Sequence, residues 1–446
     1  TPTPTPAPLI IAPVDGIPRY NLEITLDYEA RRMTVLQRIL WHNATPDVWE
    51  TVVLSAPPAA LSEIFTLHAA EVTTAQSQSA VDLTLEAGML TVALPAPLPP
   101  EAPLELALSF ELQIPAVRSL AWPPEGNLGA SARLIQAGDW IPTLVPYMPG
   151  VGWQRWNYHP VGDPAHYDIA NYDVTIHAPA EIVIAAPGTR ASTDATTRRY
   201  HLERARTFAF LASPDYQRVE TVVGTIPVAS YYLPAYSAAG RAVLEIAERA
   251  ILLFEELYGA FPYPELVIAQ NAYYGAMEYS ALISLTGYGY TYYTGSPRDL
   301  LVTLTVHEIA HQWWYGAVGN DQVHEPWLDE AFAKYSELLY YERYHPELVG
   351  WWWNSIHAWE PVGSLDNTIY NYRDTRTYIH MIYGQGAYFM DDLRQLMGEA
   401  AFWDFIRDYR VQGQDGIMTR EDFFTVLRRH TDADLTPLLE TYFGAP

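Results

Sequence analysis

Between residues 15 and 217 apolar and polar side chains tend to alternate. Tyr20-Asn21-Leu22-Glu23-Ile24-Thr25-Leu26 and Tyr172-Asp173-Val174-Thr175-Ile176-His177 show, at least in part, the period of two that marks a strand with one buried face. Prolines and glycines interrupt these runs at short intervals, the spacing of a β saddle or sandwich. After about residue 235 the period lengthens. AGRAVLEIAERAILLFEELY, residues 239–258, places its apolar side chains at helical spacing, and Gly259 follows as a stop. A Pro-Tyr-Pro turn and an apolar strand, Leu266-Val267-Ile268-Ala269, come next. Helices are predicted over 299–315, from Pro326 to about Tyr344, from Pro346 onward, and over 385–397, 399–410 and 419–430. Thr419 and Asp422 have capping-box spacing. The expected fold is multidomain α and β. A Thr/Pro-rich linker spans 1–14, an N-terminal antiparallel β saddle or sandwich 15–217, and a mainly helical domain 218–446.

Composition narrows the function. A chain of 446 residues can build two domains and bury a large core. Its formal net charge of −26 argues against a nucleic-acid partner, which needs a basic face, and disfavours docking on an anionic membrane. The absence of cysteine removes disulfides, thiol nucleophiles and thiolate metal sites. Lys334 is the only lysine. No apolar run reaches the ~18 residues of a spanning helix. The opening Thr-Pro-Thr-Pro-Thr-Pro-Ala-Pro favours an extended spacer. The expectation drawn from it is an exported chain (secreted, periplasmic or lipid-anchored), with a cytoplasmic one left open. Oligomeric state is not legible.

The chemistry lies in residues 307–311, His-Glu-Ile-Ala-His. On a helix, positions i and i+4 share a face one turn apart, so His307 and His311 can hold one metal ion together. Glu308 lies beside them, placed to take a proton from water rather than to bind metal. A following helix carries Glu330, nineteen positions after His311. A loop of about ten residues lets that helix return beside the first, and Glu330 completes the two-His-one-Glu set of hydrolytic zinc sites, one Zn2+ per chain. Glu337, seven residues on from Glu330, shares its face. It is either a hydrogen-bond acceptor for a ligand histidine or a solvated surface glutamate.

HEIAHQWWYG followed by EPWLDEAFAKY resembles the zinc helices of the aminopeptidase N and leukotriene hydrolase-type gluzincins. Asp329 and Ala331 stand where that family has Asn and Gly. Gly275-Ala276-Met277-Glu278 resembles its exopeptidase strand. The resemblance implies that Glu278 binds the free α-amine of a peptide and that the backbone of Gly275, Ala276 and Met277 pairs with the substrate. Tyr279 follows where the family usually has Asn. Tyr383-Gly384-Gln385-Gly386-Ala387 resembles the segment of the catalytic tyrosine, which implies that the Tyr383 hydroxyl stabilises an oxyanion. The implied architecture is a β saddle followed by a thermolysin-like peptidase domain, a short form without the large C-terminal helical domain of many members. Gln136 is the candidate for the β-domain residue that assists Glu278.

The expected function is a zinc-dependent aminopeptidase acting on peptides with a free N-terminus. The alternatives are an endopeptidase or other hydrolase with the same metal site, and an inactive peptide-binding scaffold. Trp313, Trp314 and the Trp351–Trp353 run are read as core or domain packing, and His324 and His345 as exposed.

Overall fold

In the computed structural model, residues 16–444 are described apart from 62, 76, 118–126, 164, 193 and 358–362, so the linker read at 1–14 lies outside the described residues. The chain divides into two compact units. The first takes its described residues from 1–118, 124–158 and 167–215, the second from 159–166 and 216–446.

The first unit is a β structure. Its largest sheet has eight strands in the order Thr189–Ser192, Thr197–Ala205, Ala170–His177, Arg19–Asp27, Arg32–His42, Pro103–Gln113, Phe65–Thr74 and Gln78–Ala80. Alternation explains its faces. Leu22, Ile24 and Leu26 are buried, while Glu23 and Thr25 between them are exposed. One pairing departs from the antiparallel expectation: Arg19–Asp27 runs parallel to Ala170–His177, with Leu22 beside Val174 and Ile24 beside Ile176. The two strands lie far apart in sequence, and no local turn joins them to reverse the direction. Among the described residues two four-stranded sheets and a two-stranded one, Tyr147–Met148 with Gly152–Trp153, complete the unit, and one of the four-stranded sheets contains Ile135–Ala137, where Gln136 is buried.

The second unit opens with a four-stranded sheet in the order Gln217–Val223, Ile226–Tyr232, Leu266–Gln270 and Leu282–Leu285. Its last two pairings are parallel. Leu266–Gln270 is buried along its whole length, as a continuous apolar run requires. The helix Ser237–Tyr258 packs on this sheet. Gly240 permits a close approach there, since a Cβ would lie 2.1 Å from the Tyr232 ring. The helices Leu300–Ala310 and Trp327–Tyr344 follow, then Val349–His357, Gly386–Met397, Glu399–Gln412 and Arg420–Leu427. The capping box at Thr419 and Asp422 is formed.

Two helix readings need correction. The helix predicted over 299–315 stops at Ala310. Beyond it the backbone closes wider turns, with Gly316, Ala317 and Val318 donating to the carbonyls five residues earlier. Gly316 is required there, because a Cβ would sit 2.5 Å from the Gln312 carbonyl oxygen. The helix expected from 385 is preceded by a π-helical turn over Ile379–Gln385. Trp313, Trp314 and Trp352 are fully buried in the core. His345 is half-buried beside Tyr340 and Tyr341 rather than exposed.

Candidate active site

The three donors read from the sequence converge. His307 Nε2 lies 3.1 Å from Glu330 Oε2 and 3.1 Å from His311 Nε2, and His311 Nε2 lies 3.4 Å from Glu330 Oε2. All three residues are buried. Helix geometry stacks the two imidazoles, and the loop 319–326 returns the Glu330 helix beside them.

The donor set fits zinc on its own chemistry. His307 Nδ1 is 3.0 Å from Glu337 Oε1, and His311 Nδ1 is 2.9 Å from the Trp314 carbonyl. Both partners only accept, so each Nδ1 carries a hydrogen, and each Nε2 is left to give its lone pair to a cation that takes the place of a proton beside Glu330. Two lone pairs and a carboxylate oxygen then face one point, an arrangement that a cation stabilises. Ligands of a tetrahedral zinc ion stand about 3.3 Å apart, close to the spacing here.

Glu337 is therefore no surface glutamate. Its second oxygen accepts from Lys334 Nζ at 2.8 Å and from Trp352 Nε1 at 2.9 Å. Lys334 also lies over the Trp352 ring, 5.4 Å from its centre. Burial opposes ionisation of Glu337, but the Lys334 charge and the hydrogen bond with His307 outweigh it and hold the carboxyl below its usual range.

Glu308 is buried, and its Oε2 has no hydrogen-bond partner among the described residues. Burial, aided by the negative charge of Glu278 and opposed by His307, pushes its carboxyl up to about 8. A carboxyl poised near neutrality can hold and release a proton under ordinary conditions. Tyr383 arrives on the π-helical turn, its ring stacked on His307 with centroids 5.5 Å apart, and its hydroxyl donates to Glu330 Oε1. Such turns recur at functional sites because one extra residue in the turn redirects a side chain. Just beyond, Gly386 lies against Ala331 so closely that a Cβ would be 2.5 Å from the Ala331 methyl.

Glu278 is buried near the same point: it, His311 and Asp329 offer ligand atoms within 4.8 Å of one another. Gly275–Met277 does not form a regular strand. Met277 alone bridges to Ser284, donating and accepting at 2.9 Å, so its backbone groups are already paired. Gly275 accepts from the Asn271 side chain at 2.9 Å.

Three residues went unread in the sequence. Gln322 bridges Glu278 and Asp329. Asp163 comes from the segment 159–166, where a Cβ on Gly162 would be 2.7 Å from Ile369. Burial and the charges of Glu278 and Glu330 push its carboxyl well above the usual range. Tyr378 is buried, its ring 5.8 Å from that of Tyr383. None of the three sits in a spacing pattern that would single it out.

The second unit thus carries a gluzincin-type donor set on two helices, with a buried acid beside it. Residues 242–442, a little under half of the chain, match the Peptidase family M1 domain. The chain is 25% identical over 233 residues to aminopeptidase N of Lactobacillus delbrueckii subsp. lactis, a match covering 46% of this chain and 26% of that protein. It is 27% identical over 221 residues to human endoplasmic reticulum aminopeptidase 1, covering 45% of this chain and 23% of that protein. The matched region spans about a quarter of the length of these relatives. In fold it is similar to an M1 zinc metallopeptidase from Deinococcus radiodurans, with a TM-score of 0.71, 18% identity, and coverage of 96% of this chain and 93% of that one. A mutant of an M1 zinc metallopeptidase from the same organism, bound to a Tyr-Ser-Ala substrate, gives a TM-score of 0.67 at 18% identity over 96% and 94% of the two chains. Among the described residues no helix is long and apolar enough to cross a membrane.

Proposed function

We propose that the chain is a zinc-dependent aminopeptidase that removes N-terminal residues from peptides. The observation that carries this reading is the junction of two features: a donor set with both Nε2 lone pairs exposed to one point, and the carboxylate of Glu278 within 4.8 Å of a His311 donor atom. The relatives named as aminopeptidases, and the fold neighbour solved with a tripeptide, support it.

His307, His311 and Glu330 would hold zinc, which supplies a Lewis acid that polarises a carbonyl and acidifies water. Glu308 takes the proton of the attacking water on its unpartnered Oε2 and returns it to the leaving amine. Tyr383 turns its hydroxyl from Glu330 to the developing oxyanion. Glu278 accepts the substrate ammonium, a charge-assisted bond strengthened by its burial. Glu337 fixes the His307 tautomer. The Gly275 N–H and the Ala276 backbone remain for substrate pairing, since Met277 is bonded to Ser284 and the Gly275 carbonyl to Asn271.

The test is release of chromophore from unblocked alanyl, leucyl, arginyl and glutamyl anilides beside their N-acetylated forms, before and after chelation and zinc restoration. Zinc-dependent cleavage confined to free amines is the expected result. Equal cleavage of blocked substrates would make the chain an endopeptidase and remove the role given to Glu278.

A further inference from the structure

Glu278 and Asp329 are both acidic, both buried, and both turned toward Gln322. The Gln322 side-chain nitrogen donates to Glu278 Oε1 at 3.0 Å and to Asp329 Oδ2 at 2.7 Å. An amide nitrogen has two hydrogens, and both are used. Asp329 Oδ1 accepts in turn from the backbone N–H of Glu330 at 2.8 Å. A continuous line of hydrogen bonds therefore runs from the backbone of one metal donor, through Asp329 and Gln322, to Glu278. The other oxygen of Glu278 has no hydrogen bond among the described residues.

The line is held at each end. Asp321 Oδ1 accepts from the N–H groups of Val323 and His324 at 3.0 and 3.1 Å, Glu325 N–H donates to the Asp321 carbonyl at 2.8 Å, and Ile369 N–H donates to the Val323 carbonyl at 3.0 Å. These bonds fix the loop that presents Gln322. The segment after Glu278 is tied separately: Gln312, next to His311, accepts from Ala281 N–H at 2.9 Å. Without Gln322, Glu278 Oε1 and Asp329 Oδ2 would both lose their shared donor, and buried acceptors left without a donor are costly enough to move.

We propose that Gln322 is a positioning residue for substrate recognition: by bridging Glu278 to Asp329 it sets the distance between the ammonium-binding oxygen and the metal donors, and so fixes cleavage one residue from a free N-terminus. The ligand class is a primary ammonium one peptide unit from a carbonyl. This rests on the aminopeptidase reading and adds to it a second residue, remote from the reacting atoms, on which that register depends.

Three proteins test it: Gln322→Leu, Asp329→Asn and the double variant, each assayed for kcat and KM on leucyl anilide and for zinc content by atomic absorption. Gln322→Leu is expected to raise KM on the order of tenfold, with zinc content unchanged. The double variant is expected to recover most of that loss, because the asparagine amide at 329 can itself donate to Glu278, whose oxygen lies within 4.8 Å of that side chain. Gln322→Met serves if Gln322→Leu does not fold. Binding of leucine amide to the zinc-loaded protein by calorimetry should weaken in parallel with KM. An unchanged KM in Gln322→Leu, a double variant with the summed losses of the single ones, or zinc loss in proportion to activity would overturn the proposal. Failure of the parent protein to require a free amine is a separate result, and it overturns the aminopeptidase reading itself.

Discussion

His307 Nδ1 and Glu337 Oε1 stand 3.0 Å apart, one imidazole joined to a carboxylate that is itself held by Lys334 and Trp352. The donor atom on the far side of that imidazole owes its orientation to this contact. Replacing Glu337 by Gln keeps the shape and removes the charge. Zinc affinity should fall roughly 10–100-fold. Competition with a chromogenic chelator measures it, and an unaltered affinity would show that Glu337 does not support the metal site.

Tyr383→Phe removes one hydroxyl and leaves the ring on His307. Turnover of unblocked anilides should drop on the order of 10²–10³, with KM almost unaltered, because the hydroxyl acts on charge that develops during reaction. A change confined to KM would instead place the hydroxyl in substrate binding.

Gly386→Ala tests the closeness of the two helices that carry Tyr383 and Glu330. The added methyl would lie 2.5 Å from that of Ala331 and 3.0 Å from its Cα. Both neighbours belong to a rigid helix, so overpacking should cost about 1–3 kcal/mol. Urea unfolding reads the loss, and wild-type stability would mean the helices separate freely.

A pH effect is expected in the first unit. The His201 imidazole bonds to Asp173 at 2.7 Å and to Glu203 at 3.1 Å. The Asp173 bond leads, burial opposes it, and the net effect raises the imidazole above its ordinary value. A raised value in the folded state stabilises fully below about pH 6.5, and this contribution is lost as pH climbs through the folded value. Since the side chain is 41% exposed, solvent holds the contribution under about 1 kcal/mol. Proton NMR should show His201 titrating above the usual midpoint and returning toward it in Asp173→Asn. A midpoint indifferent to that substitution would remove the pair as the cause.

Much of this molecule can be read from local pattern. The i, i+4 histidines and the alternation in Tyr20–Leu26 each follow from a repeat only a few residues long, and Glu330 from its place nineteen positions on in the next amphipathic run. What escaped depends on contacts between distant segments. The pairing of Arg19–Asp27 with Ala170–His177 joins strands with no turn between them. The early end of the helix at Ala310 reflects wider turns closed around Gln312 and Gly316, and apolar periodicity through Trp313 and Trp314 conceals it. The π-helical turn before Gly386 has no signature in residue spacing. Gln322 sits in a loop whose composition gives no sign of the two carboxylates that it joins.

The arrangement around Lys334 has a practical side. The chain has one lysine, and its ammonium is tied to Glu337 and laid over Trp352. Within residues 1–446 a reagent that attacks lysine side chains thus finds one target, engaged next to the proposed metal donors. Acylation of that amine would remove the charge that holds Glu337 and loosen the carboxylate behind His307.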